Sequence, residues 1–148
     1  GEAPVSALHG ALYACGSNSN GQLGLGHLES QTELQAVRAV RGGAREVACG
    51  GHHTLILSHA GELFSCGYSA HGRLGLGRDV RGHQTAARRV ALPPGAAPPA
   101  QVACGWAHSV VRASDGRVVA HLDGARRRQR DVLLIHERVG AQDRHDRL

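Results

Sequence analysis

The segment Leu12–Gly26, LYACGSNSNGQLGLG, returns as Leu63–Gly77, LFSCGYSAHGRLGLG, and Val47–Ser58, VACGGHHTLILS, returns as Val102–Ala113, VACGWAHSVVRA. Gly16 and Gly67 stand 51 positions apart, and Cys49 and Cys104 stand 55 apart. Self-similarity at a period of this length marks stacked supersecondary units, as in a solenoid or a propeller. The repeat also decides how single residues are read. A residue that recurs once per copy is architectural before it is chemical.

The copies are built from strand and turn signals. Thr54–Leu57 and Glu62–Cys66 are short apolar runs separated by Ser58-His59-Ala60-Gly61, which predicts a β-hairpin. Ser109–Val111, Ser114-Asp115-Gly116 and Arg117–Val119 predict the same hairpin again, with Asp-Gly as the stronger turn pair. His9-Gly10 followed by Ala11–Ala14 reads as the end of an earlier unit. Gly16, Gly21, Gly24 and Gly26 match Gly67, Gly72, Gly75 and Gly77, which describes a tight loop leaving the sheet, with Leu23 and Leu74 as its apolar anchors. No amphipathic helix stands out, although Glu33–Val40 fits helical spacing and an outer strand equally. Ala86–Leu92 suits an edge strand, and Pro93–Pro99 an extended linker outside any ladder. With 41% apolar but only 3% aromatic residues, the core is expected to consist of small and branched side chains.

After Val119 the pattern stops. His121-Leu122 stands where Cys15-Gly16 and Cys66-Gly67 stand, and no glycine loop follows. Arg126–Arg130, the apolar Val132–Ile135 and a mixed-charge end come instead, and Asp131–Val139 fits a strand or a short helix. We therefore expect repeats over residues 1–119 and a divergent basic tail over 120–148, solvated or disordered. The chain has no Met, so a fragment or truncated product is expected, and the break suits a shifted reading frame or an alternative terminus.

The residues VACGxxHT or VACGxxHS, a Gly hairpin and LYxCGxNxxGQLGLG together resemble the regulator of chromosome condensation repeat family. The resemblance runs over about residues 8–119, through Val47–Gly50, His53-Thr54, Gly61, Leu63-Phe64, Cys66-Gly67, Gly72–Gly75 and Val102–Gly116. It implies an all-β fold of four-stranded blades, normally closed into a ring of about seven. This chain supplies two to three blade equivalents, so the expectation is a partial β-propeller with an irregular tail. The rest of a propeller or another chain is needed to cover its open sides. Gly16, Gly21, Leu23, Gly24, Cys49, Gly50, His53, Gly61, Gly67, Gly72, Leu74, Gly75, Cys104, Gly105, His108 and Gly116 are then repeat positions.

Competing chemistries fare poorly. Cys49-Gly50-Gly51-His52-His53 offers zinc donors, but the cysteines recur one blade apart and no CxxC exists, so small buried thiols are expected and no metal. Unpaired thiols suit a reducing, intracellular setting, cytoplasmic or nuclear. His53 and His108 recur, and a His that bridges neighbouring blades explains that better than catalysis. Gly16–Gln22 has phosphate-loop glycines without the Lys and the Ser or Thr of such loops, and Gly24-Leu25-Gly26 lacks the third glycine of a dinucleotide fingerprint. No cofactor is expected, and no set of catalytic roles can be assembled. The net charge is +5, and the basic run in the tail, Arg126–Arg128 and Arg130, is not the folded stripe that nucleic-acid binding needs. No apolar run is long enough to span a membrane, and no signal peptide is read at the start.

A protein-interaction scaffold, not an enzyme, is the leading expectation, with contacts at residues that differ between copies: Asn18 (Ser69), Asn20 (His71), Tyr68 and Trp106 (Gly51). Trp106 fits a contact anchor and blade packing equally. The resemblance also implies two narrower roles. One is guanine-nucleotide exchange on a small GTPase. The other follows from likeness to the alpha-tubulin suppressors, which implies a partner in diphthamide and wobble-uridine tRNA modification.

Overall fold

The computed structural model describes residues 11–77 and 79–121, with the backbone alone for residues 119–121. The expectations for His9-Gly10, Arg126–Arg130 and Asp131–Val139 lie outside these residues. The strands are β1 (Tyr13–Gly16), β2 (Gln31–Ala36), β3 (Ala44–Cys49), β4 (His53–Ser58), β5 (Leu63–Tyr68), β6 (His83–Arg89), β7 (Pro99–Cys104), β8 (Ser109–Ala113) and β9 (Val118–His121). They form antiparallel sheets in the orders β1-β2, β3-β4-β5-β6 and β7-β8-β9. The central sheet is a complete four-stranded blade. The first and third sheets hold its last two and first three strands respectively. The fold is all-β, a partial propeller.

The copies superimpose in register as well as in sequence. Cys49 pairs with Thr54, and Thr54 with Cys66. In the third sheet Cys104 pairs with Ser109, and Ser109 with His121. His121 therefore stands where Cys66 stands in the complete blade. Strand β9 reaches two residues beyond Val119.

Strand β4 is buried along most of both faces. Leu55 and Leu57 meet Leu63 and Val90 of their own blade and Val102 and Val111 of the next. Ile56 points the other way, into a cluster with Val40, Ala87, Leu12 and Phe64. A strand with a sheet on each side needs apolar residues at successive positions, which explains the unbroken run Leu55-Ile56-Leu57. The core uses Leu, Val, Ile and Ala, as the composition implies.

Of the two readings of Glu33–Val40 the strand holds: β2 covers Gln31–Ala36, and Val37 and Val40 turn inward after it. Two readings need correction. Pro99 is not outside the ladder. It opens β7 opposite Ala113, and the first residue of a strand is a place where a missing N–H is tolerated. The thiols are not uniformly buried: Cys66 is buried and Cys104 half-buried, whereas Cys15 and Cys49 are exposed. Cys66 Sγ lies 3.4 Å from the carbonyl of Gln22, in the glycine loop of the preceding blade, and Cys104 Sγ 3.4 Å from that of Ala48, in β3 of the preceding sheet. Among the described residues no preceding strand covers Cys15 or Cys49.

Candidate functional site

Antiparallel order sends the β3–β4 turn, the β7–β8 turn and the long loops after β1 and β5 to one end of the sheets. Residues that recur between copies hold this end together.

Thr54 Oγ1 donates to the carbonyl of Gln22 at 2.7 Å, and Ser109 Oγ donates to the carbonyl of Arg73 at 2.6 Å. Thr54 and Ser109 are equivalent, as are Gln22 and Arg73. Each hydroxyl thus ties a blade to the glycine loop of the blade before it. His53 closes the second junction: its Nε2 lies 2.9 Å from Ser109 Oγ. Ser109 has one proton, already given to the Arg73 carbonyl, so its oxygen accepts and His53 Nε2 carries the hydrogen. Nδ1 of His53 is then a buried acceptor without a partner. Burial, followed by the nearby Arg73 guanidinium, lowers the His53 pKa from 6.5 to about 4. The imidazole is therefore neutral near neutral pH, and its hydrogen bond to Ser109 bridges the second and third blades. His108, its equivalent, is exposed, and the described residues contain no following blade for it to reach.

The glycines beside these groups are sterically required. A Cβ on Gly50 would collide with the His53 ring and lie 2.7 Å from the Gly105 carbonyl oxygen. Gly105 stands in the same relation to His108. Gly21 combines φ +79° with an approach in which a Cβ would lie 2.8 Å from Thr85 Cα, so the first loop can press on β6. Gly26 N donates to the Thr85 carbonyl at 2.8 Å, and Leu25 bridges Ala86. Leu74 is buried and Leu23 half-buried in these loops.

The expected contact residues divide. Asn18 is fully buried, and this corrects its reading as a contact. Its Nδ2 donates to the carbonyls of His27 and Glu29, and its Oδ1 accepts from Leu23 N–H. It shapes the loop from inside. Asn20 is half-buried beside Gln22, whose Oε1 accepts from its N–H. His71 is exposed and carries φ 62° in the short 3-10 turn Ala70–Gly72. Tyr68 and Trp106 are both exposed, Trp106 at 72%.

Trp106 also packs: a Cβ on Gly51 would lie 2.7 Å from its indole, and His52 meets it edge-on with ring centroids 5.4 Å apart. The His52 carbonyl accepts from Tyr68 N–H at 2.9 Å. The Tyr68 ring covers the Arg73 guanidinium at 5.0 Å and lies 5.8 Å from the His83 ring. His52 and His83 were not anticipated as part of this face. Their signal was visible only as departures from the other copy.

Comparison with known proteins decides the family. The model of the "Regulator of chromosome condensation (RCC1) repeat" matches residues 9–57 and 60–112, more than half of the chain. The chain belongs to the RCC1 repeat family. Among the RCC1-repeat relatives it is 35% identical over 111 residues to a secretion-regulating guanine nucleotide exchange factor of Mus musculus, covering 74% of this chain and 23% of the relative. It is 36% identical over 104 residues to the ultraviolet-B receptor UVR8 of Arabidopsis thaliana, covering 70% of this chain and 23% of the receptor. Of solved structures, human WBSCR16 matches with a TM-score of 0.66 at 28% identity, over 75% of this chain and 28% of that one. Yeast RCC1 (Prp20), solved with Kap60, matches with a TM-score of 0.63 at 26% identity, over 75% of this chain and 25% of that one. The chain thus spans about a quarter of the length of these relatives.

Proposed function

We propose that this RCC1-repeat chain is a section of a protein-interaction scaffold whose working face is the loop end described above. The observation that carries this reading is the division of labour at that end. Recurring residues are spent on joining blades, and residues that differ between copies, Tyr68 and Trp106 foremost, stand exposed on the rigid frame so made. The arrangement offers recognition rather than bond-making, since its most deeply placed imidazole is neutral and enclosed.

A second reading is guanine-nucleotide exchange on a small GTPase. Its support is the likeness to the secretion-regulating exchange factor, and a related structure concerns Prp20p of Saccharomyces cerevisiae and its binding properties to Gsp1p and histones. The relatives named above lend no support to a diphthamide-pathway partner. We place the protein inside the cell, on the strength of four cysteines in no disulfide.

Release of a fluorescent guanine nucleotide from a panel of small GTPases, measured with the whole protein that carries this chain, separates the readings. Acceleration supports exchange. Stable association without acceleration supports the scaffold alone. Neither association nor acceleration across the panel removes GTPases as the partner class.

A further inference from the structure

The turn that carries β2 into β3 lies at the end of the sheets away from the loops described above. Its architecture is shared between copies, and its chemistry is not. Tyr13 pairs with Ala36 and Phe64 with Arg89, so Val37 corresponds to Val90 and the four residues Val40–Gly43 to Pro93–Ala96. Both quartets close as β-turns: Gly43 N–H donates to the Val40 carbonyl at 3.4 Å, and Ala96 N–H to the Pro93 carbonyl at 3.0 Å. The third residue of each is a glycine with positive φ, +77° at Gly42 and +79° at Gly95, as a type II turn requires. The second residue is Arg41 in one copy and Pro94 in the other. The turn therefore needs the glycine and not the arginine.

Arg41 is also set apart from other arginines of the chain. Arg45 donates to the carbonyls of Pro99 and Ala100, Arg73 is buried, and Arg89 and Arg117 pair with Glu62 and Asp115. Arg41 is exposed and has no hydrogen bond, ion pair or ring contact among the described residues. Arg38 and Arg81 are exposed too, but Arg41 alone in the sequence is followed by two glycines. The turn is anchored on both sides of it: Val40 is buried, and the Gly43 carbonyl accepts from His59 N–H at 3.3 Å. At Gly42 a Cβ would meet nothing within 4 Å, so the outer side of the turn is open to a second molecule.

We propose that Arg41 is a methylation site, modified by a protein arginine methyltransferase that draws on a sulfonium methyl donor. Such an enzyme must take an extended guanidinium into a narrow pocket and hold one nitrogen in line with the S–CH3 bond. The chain beside the arginine must then lie against the pocket mouth, and bare glycine backbone permits that approach. In the step the guanidinium nitrogen attacks the methyl carbon. An N–C bond forms, the S–C bond breaks, the donor leaves as a neutral thioether, and the nitrogen's proton passes to a base of the methyltransferase. The product keeps its positive charge and loses an N–H donor, which blocks bidentate binding of a carboxylate or phosphate. No described contact within the blades is lost, so the change is confined to what this turn offers a partner. The site does not depend on the scaffold reading, since it lies at the opposite end of the sheets from that face.

The full chain is incubated with S-adenosylmethionine labelled in its methyl group and a methyltransferase that acts on arginine–glycine sites, and the labelled residue is located by tandem mass spectrometry. A free peptide of residues 36–46 is the control that the enzyme is active. Label on the Arg41 side chain of the folded chain is expected. Arg41→Lys keeps the charge but not the guanidinium, and Arg41→Pro installs the residue of the other copy; each should lose that label. Arg38→Lys and Arg81→Lys should keep it. Circular dichroism checks folding, and Arg41→Lys carries the test should Arg41→Pro unfold. No incorporation, label confined to Arg38, Arg81 or the arginines after residue 121, or labelling of the free peptide but not of the folded chain overturns the proposal.

Discussion

The Ser109 hydroxyl is the most economical joint in the molecule, because it gives one hydrogen bond to the Arg73 carbonyl and takes one from His53. Ser109→Ala removes both and leaves two buried polar groups unpaired, so unfolding in urea is expected to show a loss of about 1–3 kcal/mol. Ser109→Thr should be mild, since Thr54 makes the equivalent bond to Gln22. His53 adds a pH dependence of defined sign. Its folded pKa, about 4, lies below the ordinary 6.5, so the unfolded chain binds the extra proton first as pH falls. Stability is full above about pH 6.5 and declines toward pH 4, by up to about 3 kcal/mol from this group. Urea midpoints measured across that window should fall, and His53→Gln should flatten the fall. The bridging role of His53 was legible in the sequence because His recurs before a hydroxyl residue. Its partner was not, because no spacing rule says which atom of the next blade a buried ring will meet. Asn18 misled for a related reason: its contrast with Ser69 reflects loop-internal bonding, where an amide satisfies three backbone groups and a hydroxyl cannot.

At the level of elements, β4 is the strand that both neighbouring sheets share. Leu57 is fully buried among residues of two blades, so Leu57→Ala is expected to cost about 2–5 kcal/mol, measured by chemical denaturation. Gly50→Ala acts at the turn before β4, where the new methyl meets the His53 ring and the Gly105 backbone; a loss of about 1–3 kcal/mol is expected by the same measurement. The hairpins β4–β5 and β8–β9 were readable because apolar runs flank Gly turns. Strands β3 and β7 were not named as strands, although their VACG motif was conspicuous. They are short, Ala-containing and half-exposed, and what makes them strands is pairing with β4 and β8 rather than local preference. Glu46 shows the same dependence on neighbours: its carboxylate accepts from Val102 N–H at 3.1 Å, a contact between sheets that no local pattern announces.

The whole molecule is a row of blades in which each sheet is stabilised by its neighbours, as in other repeat arrays. The complete blade, β3–β6, has a described sheet on each side. The β1-β2 sheet and the β7-β8-β9 sheet each have one. The sequence disclosed this order through its two separations and its family resemblance, and the sheet topology agrees. The exposed face at Tyr68 and Trp106 was only partly disclosed, because His52 and His83 draw notice only once the fold sets them beside Trp106 and Tyr68. The claim on which the rest depends is that blades are latched to one another by the recurring hydroxyl and imidazole. Hydrogen exchange followed by mass spectrometry on the full chain tests it most directly, comparing wild type with Ser109→Ala. Amides of β4 and β5 are expected to be the slowest to exchange, and Ser109→Ala should speed exchange on both sides of the junction, in β4 and in β7–β8 together. Equal protection across the three sheets, or a change confined to β8 alone, would contradict the latch.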